Sequence, residues 1–148
     1  MKKSAGWIWI NKIGKAWIEK NPSLIPPLFA ENFKYYETPF STPIKTKKEL
    51  LKLWQDVPNS QKDITFDFEI LSEINNDYLA HFHASFVRIK NYSKTALDGI
   101  FSVKLNNNNL CTEFKWWWNT EEAAKNFYSL IDAASLKNPT ILNNFKHS

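Results

Sequence analysis

The 148-residue sequence has one cysteine, one methionine, three glycines and a single arginine, Arg88. With Cys111 standing alone no intrachain disulfide can form, which points to a reducing compartment such as the cytoplasm. Scarce arginine argues against nucleic acid, because phosphates and base edges are read by the bidentate guanidinium fork. The lysines are scattered, and their longest runs are the pairs Lys2-Lys3 and Lys47-Lys48, too short for a polybasic membrane patch. The net charge of +4 therefore reads as a solvated lysine-rich surface, with neither nucleic acid nor membrane as a partner. No stretch approaches the roughly 20 apolar residues of a membrane span. Residues 1–13 mix tryptophan with Asn11 and Lys12 and lack the apolar core and small-residue cleavage site of a signal peptide.

Aromatic side chains are abundant. They make up 16% of the chain, with seven Trp and eleven Phe, so its buried surface comes in large rigid pieces. Trp7, Ile10, Ile13 and Trp17 recur at helical spacing, which predicts an amphipathic helix over residues 4–20. Asn21-Pro22 opens a second helix that Pro26-Pro27 must break, leaving a short irregular one ending near Ala30. Residues 33–38 read as a short aromatic strand followed by a loop held by Pro39 and Pro43. Thr46 and Glu49 form a capping box for a third helix with Leu50, Leu53, Trp54 and Val57 on one face, which Pro58 is expected to stop.

At Ile64 the period changes to two: Ile64, Phe66, Phe68 and Ile70 alternate with Thr65, Asp67 and Glu69. Asparagine-rich turns then separate strands over residues 78–89, 95–105 and 110–118. A last helix is expected from Ala124, Phe127, Tyr128 and Ile131, ahead of a polar tail over residues 137–148. No repeat or linker interrupts the chain, so residues 1–136 are expected to form one domain.

The order of segments resembles the SnoaL-like, nuclear-transport-factor-2-like proteins. The resemblance runs through Ala16-Trp17, Leu28-Phe29-Ala30-Glu31-Asn32-Phe33, Tyr35-Tyr36-Glu37-Thr38-Pro39-Phe40, Leu97-Asp98-Gly99-Ile100-Phe101 and residues 110–118. It implies a cone-shaped α+β barrel: a curved, mainly antiparallel sheet wrapped over three N-terminal helices, with a C-terminal helix. It also implies homodimers and a pocket for a small apolar molecule. Members include ketosteroid isomerase, dehydratases and polyketide cyclases, so the fold alone leaves the reaction open. By this resemblance the isomerase base falls at Thr38, a poor base without an activating partner, and the helix-one tyrosine falls at Gly14.

Candidate acid–base residues are Glu37, Asp98 and His83. Glu37 serves only if the short strand is rotated by one residue, and Asp98 faces the cone only if Gly99 marks a bulge. His81 and His83 share one strand face without a third ligand, so no metal is expected, and no cofactor. Glu113 and Lys115 alternate with apolar neighbours and read as an outward ion pair. Expected pocket walls are Trp17, Tyr36, Thr38, Phe40, Trp54, Phe82, Phe86, Phe114, Trp116 and Trp118. Rings from so many elements either line a cavity that binds a ligand, or fill it and leave a dimeric interaction module.

Overall fold

A computed structural model describes residues 2–121, so the expected C-terminal helix and tail lie outside the described residues. The first helix, α1 (Ala5–Ile18), is capped by Ser4, whose hydroxyl accepts from the Trp7 amide at 3.1 Å. Its buried stripe comprises Trp9, Ile10, Ile13 and Trp17. The expected second helix is reduced to two 3-10 turns, Pro22–Leu24 and Pro26–Leu28. Three prolines in this segment remove the amide donors a continuous α-helix needs. Strand β1 (Phe29–Tyr36) therefore begins four residues earlier than the aromatic run at Phe33 suggests.

Helix α2 (Lys47–Asn59) starts where the capping box places it, with Thr46 accepting from the Glu49 amide at 3.3 Å. Pro58 lies inside its last turn instead of ending it. Ser60 closes the helix, its hydroxyl donating to the Val57 carbonyl at 2.6 Å.

Four long strands follow: β2 (Gln61–Ile74), β3 (Asp77–Arg88), β4 (Lys94–Leu105) and β5 (Cys111–Thr120). They pair antiparallel as a meander, and β1 joins beside β5 in parallel, giving the order β1-β5-β4-β3-β2 in an unclosed sheet. The α+β architecture is thus the expected one: helices on one face of a mainly antiparallel sheet. Alternation sorts the faces. Tyr78, Phe82, Phe86, Phe101, Phe114 and Trp116 are buried beneath the helices, whereas Leu79, His83, Asp98 and Trp117 are exposed on the far side.

Two glycines let α1 settle onto this sheet. A Cβ on Gly6 would overlap the Tyr78 ring, and one on Gly14 would overlap the Phe66 ring. No side chain can occupy the position at Gly14 without displacing Phe66. Among the described residues no helix is long and apolar enough to cross a membrane.

Candidate functional site

The end of β1 is held from both sides. Tyr35 lies opposite Phe114 in β5, Tyr36 opposite Lys115, and Tyr35 bridges back to Ile44 through backbone bonds of 2.9 and 2.8 Å. With Phe33 and Tyr35 buried, period two sends the next inward side chain from position 37. The inward carboxyl is Glu37, and no rotation of the strand is needed. The chain then turns: the Thr38 amide donates to the Ser41 hydroxyl at 3.1 Å, and the Ser41 amide donates to the Thr38 carbonyl at 3.2 Å.

Around Glu37 stand Trp17 from α1, Tyr35 from β1, Leu53, Trp54, Val57 and Pro58 from α2, and Trp116 from β5. They enclose a cavity of about 20 Å³, close to the space one water molecule needs. Trp17 meets Trp54 and Trp116 edge to face, with ring centroids 6.3 and 6.2 Å apart. Its own indole N–H donates to the buried Gln61 side-chain oxygen at 2.8 Å, so Trp17 offers the cleft only apolar surface.

Four other polar atoms lack such a partner. Tyr35 Oη, Glu37 Oε2, Trp54 Nε1 and Trp116 Nε1 are all buried and close no hydrogen bond of good geometry among the described residues, although Tyr35 and Trp116 approach Glu37, and Trp54 approaches Tyr35, closely enough to act on their titration. Leaving a buried donor or acceptor unmade costs about 1–3 kcal/mol each. Four on the walls of one small cavity is an arrangement suited to a bound polar atom.

Burial also sets the chemistry. Removal from water pushes the Glu37 carboxyl up from 4.5 to about 7, and the nearby Tyr35 hydroxyl and Trp116 indole hold back part of that rise. The Tyr35 hydroxyl is raised well above its ordinary value, first by its own burial and then by the Glu37 charge. It remains a protonated donor throughout the neutral range.

The residues expected to wall the pocket divide into three groups. Trp17, Trp54 and Trp116 line the cleft. Phe82, Phe86 and Phe114 are buried in the packed core instead, Phe82 stacking on Phe101 at 4.3 Å, and partly buried Trp118 sits 5.0 Å from Trp116. Tyr36, Thr38 and Phe40 lie outside the cleft lining. Tyr36 turns to the opposite face, where Lys115 Nζ lies 5.2 Å above its ring, Thr38 closes the turn, and Phe40 projects fully into solvent at the loop tip.

Asp98 and His83 also lie away from the cleft. Gly99 makes no bulge, since the β3–β4 and β4–β5 registers run through it unbroken, so Asp98 faces outward. There Asp98 accepts from His81 Nε2 at 2.9 and 3.0 Å, His83 Nδ1 is 3.6 Å away, and Glu69 is 3.4 Å from His81 Nδ1. The hydrogen bond to Asp98 is the main cause of a raised His81 pKa. Among the described residues no group of three or more His, Cys, Asp or Glu side chains is placed to hold a metal ion. Glu113 pairs with Lys115 at 3.4 Å on the outer face. Buried Cys111 has its thiol pushed far up by desolvation and is held inert.

Sequence reasoning missed Tyr35, Leu53, Val57 and Pro58 as lining. The available signal was the alternation Phe33, Tyr35, Glu37, which places Tyr35 and the carboxyl on one side.

No family model matches the sequence, and no curated protein matches it. Solved structures do. The epoxide hydrolase/cyclase-like enzyme SalBIII, described for pyran ring formation in polyether salinomycin, superposes with a TM-score of 0.67 at 9% identity, covering 76% of this chain and 89% of that one. Rv0760c from Mycobacterium tuberculosis, in complex with estradiol-17beta-hemisuccinate, gives 0.68 at 14% identity, covering 79% and 95%. A computationally designed 17-OHP binder gives 0.68 at 15% identity, with 79% and 95% covered. The chain has the SnoaL-like, nuclear-transport-factor-2-like fold.

Proposed function

We propose that this chain uses the cleft of its SnoaL-like fold to bind a small, mainly apolar molecule by one acceptor oxygen, such as a ketone carbonyl. The observation that carries the reading is the cluster of four buried polar atoms around Glu37 that close no hydrogen bond of good geometry with one another. The Trp54 and Trp116 indoles offer only hydrogens, the protonated Tyr35 hydroxyl offers one while its oxygen can also accept, and a carboxyl titrating at about 7 offers a further one when protonated. Donors of this number favour a ligand oxygen that accepts. The neighbours support the ligand class at the level of fold, since one is in complex with a steroid ester and another is a designed binder.

A cavity of about 20 Å³ admits the oxygen and little else. The body of the ligand has to rest on Leu53 and on Val57, which is 39% exposed, or displace them. Each 100 Å² of apolar surface covered there gains about 2.5 kcal/mol before association costs. Quenching of tryptophan fluorescence by apolar ketones of graded size, starting from acetophenone, tests the reading. Saturable quenching that weakens in Trp54→Phe and in Tyr35→Phe supports it, and quenching unaltered by both variants opposes it.

A second reading follows from the position of Glu37. A carboxylate with a pKa of about 7 is matched to take a proton from the carbon beside a carbonyl and return it to another carbon, as an isomerase does. The C–H electron pair becomes the new C=C bond and the carbonyl π pair moves onto the oxygen, where the Tyr35, Trp54 and Trp116 donors stabilise the enolate. Exchange of the α-hydrogens of the bound ketone in D₂O, absent in Glu37→Gln, distinguishes catalysis from binding.

The outer sheet face, with Trp117 and Leu79 each 42% exposed, is the surface we assign to a second copy of the chain. Sedimentation of a monomer at high micromolar concentration would oppose that assignment. The single cysteine makes a reducing compartment, the cytoplasm, the setting of this reading.

A further inference from the structure

Strand β2 closes one side of the sheet, and among the described residues its outer edge pairs with no other strand. At 14 residues it is a long free edge, and alternate residues direct their backbone N–H and C=O groups away from β3. Irregularities bound its regular part: one lies between Lys62 and Thr65, where Asp63 takes φ 51°, and another between Ile70 and Ser72. Residues 65–70 between them pair with β3 without a break.

This stretch has two unlike sides. Phe66 and Phe68 face α1 across a groove of about 410 Å³ whose other wall is Trp7, Asn11, Gly14, Lys15, Ile18 and Glu19. Ile18 is 46% exposed there, and Phe66 and Phe68 are only partly buried. Asp67, which also borders this groove, and Glu69, 3.4 Å from His81 Nδ1 on the outer face, are exposed, with Asp63 and Glu73 beyond them on the same strand. Lys62 is the sole basic residue in β2, although the chain as a whole carries +4. Within β2 four carboxylates thus outnumber one lysine, while Lys15 and Glu19 offset each other across the groove.

We propose that the β2 edge over residues 65–70 accepts an extended peptide segment that alternates apolar and basic side chains, adding a sixth strand. Its backbone would satisfy the free edge, its apolar side chains would enter the groove beside Ile18 and Phe66, and its basic ones would meet Asp67 and Glu69. A second copy of β2 fits less well, because an antiparallel pair of identical edges sets these carboxylates against one another.

The experiment is a titration of the whole chain with a fluorescein-labelled peptide of alternating lysine and valine, followed by anisotropy and by backbone amide NMR. Saturable binding is expected, with amide shifts concentrated at residues 65–70 and along the Trp7–Ile18 side of α1. Asp67→Lys and Ile18→Glu change exposed side chains on the two sides of the edge, and circular dichroism checks that both variants fold. Each should weaken binding by roughly tenfold or more. A peptide methylated on alternate backbone nitrogens should lose binding altogether. Undiminished binding of the methylated peptide, equal binding of a glutamate–valine peptide, or shifts confined to β4 and β5 on the outer face, away from Asp67, Glu69 and their β3 partners, would overturn the proposal. So would the absence of saturation, which would make Asp67 and Glu69 guards against edge pairing.

Discussion

Tyr35 lies flat on Phe114, their ring centroids 5.0 Å apart and their planes within 13°. The two residues are also partners in the parallel β1–β5 register. The stack fixes which way β1 faces where the strand ends, and two residues later that choice delivers Glu37 into the cleft. A slip of one residue would send Thr38 inward and Glu37 to solvent.

Glu37 makes stability depend on pH in a direction opposite to the usual acid denaturation. Its folded carboxyl titrates at about 7, above the ordinary 4.5, so the folded state holds the proton that the unfolded state has released. Stability should fall as pH rises from 4.5 to 7, by up to about 3 kcal/mol in all. Glu37→Gln should unfold at a denaturant midpoint nearly constant across that window, and at pH 8 should be the more stable protein. Urea titrations of both chains at pH 4 and pH 8 measure the difference, and parallel pH profiles would mean that the carboxyl is solvated.

His81 is expected to titrate above an ordinary imidazole because Asp98 accepts its Nε2 hydrogen, with Glu69 beside the other nitrogen. In Asp98→Asn the His81 midpoint should drop, as followed by its ring-proton NMR signals against pH. The group is exposed, so the raised pKa favours the folded state only slightly, at pH below the unfolded value, and that advantage is lost as pH rises through the folded one. An unchanged midpoint would show that the pair is not formed in solution.

Gly99 should not tolerate alanine. An added Cβ would collide with the Trp117 backbone carbonyl and stand 2.8 Å from the Phe82 ring. A carbonyl in a paired strand cannot swing aside as a side chain can. Gly99→Ala should therefore cost about 1–3 kcal/mol or more, read as a lowered midpoint of thermal or urea unfolding. Stability equal to the parent would mean that the β4–β5 ladder yields at this point.

The sheet was legible because its faces obey period two over strands of ten residues or more, as with Phe82, Ala84 and Phe86 against His81 and His83. The capping box at Thr46 located the start of α2 for the same kind of local reason. The site was less legible. β1 has only eight residues, and its consecutive tyrosines leave the alternation Phe33, Tyr35, Glu37 short and ambiguous, so which of Tyr35 and Tyr36 faces the cone is settled by pairing with the distant Phe114. Phe40, apolar and close to the site in sequence, is carried into solvent by the turn that Thr38 and Ser41 close. The near filling of the cone by rings is likewise a matter of three-dimensional packing that composition leaves undecided.

The most direct test of the Glu37 cleft is the affinity for one apolar ketone, such as acetophenone, measured by tryptophan quenching from pH 5 to pH 9. If the protonated carboxyl grips the carbonyl oxygen beside Tyr35, Trp54 and Trp116, Kd should be flat below a break near 7 and weaken above it, approaching about tenfold per pH unit. Glu37→Gln, which donates at every pH, should bind without that break. A wild-type affinity indifferent to pH across the range, or a break that persists in Glu37→Gln, would contradict the account.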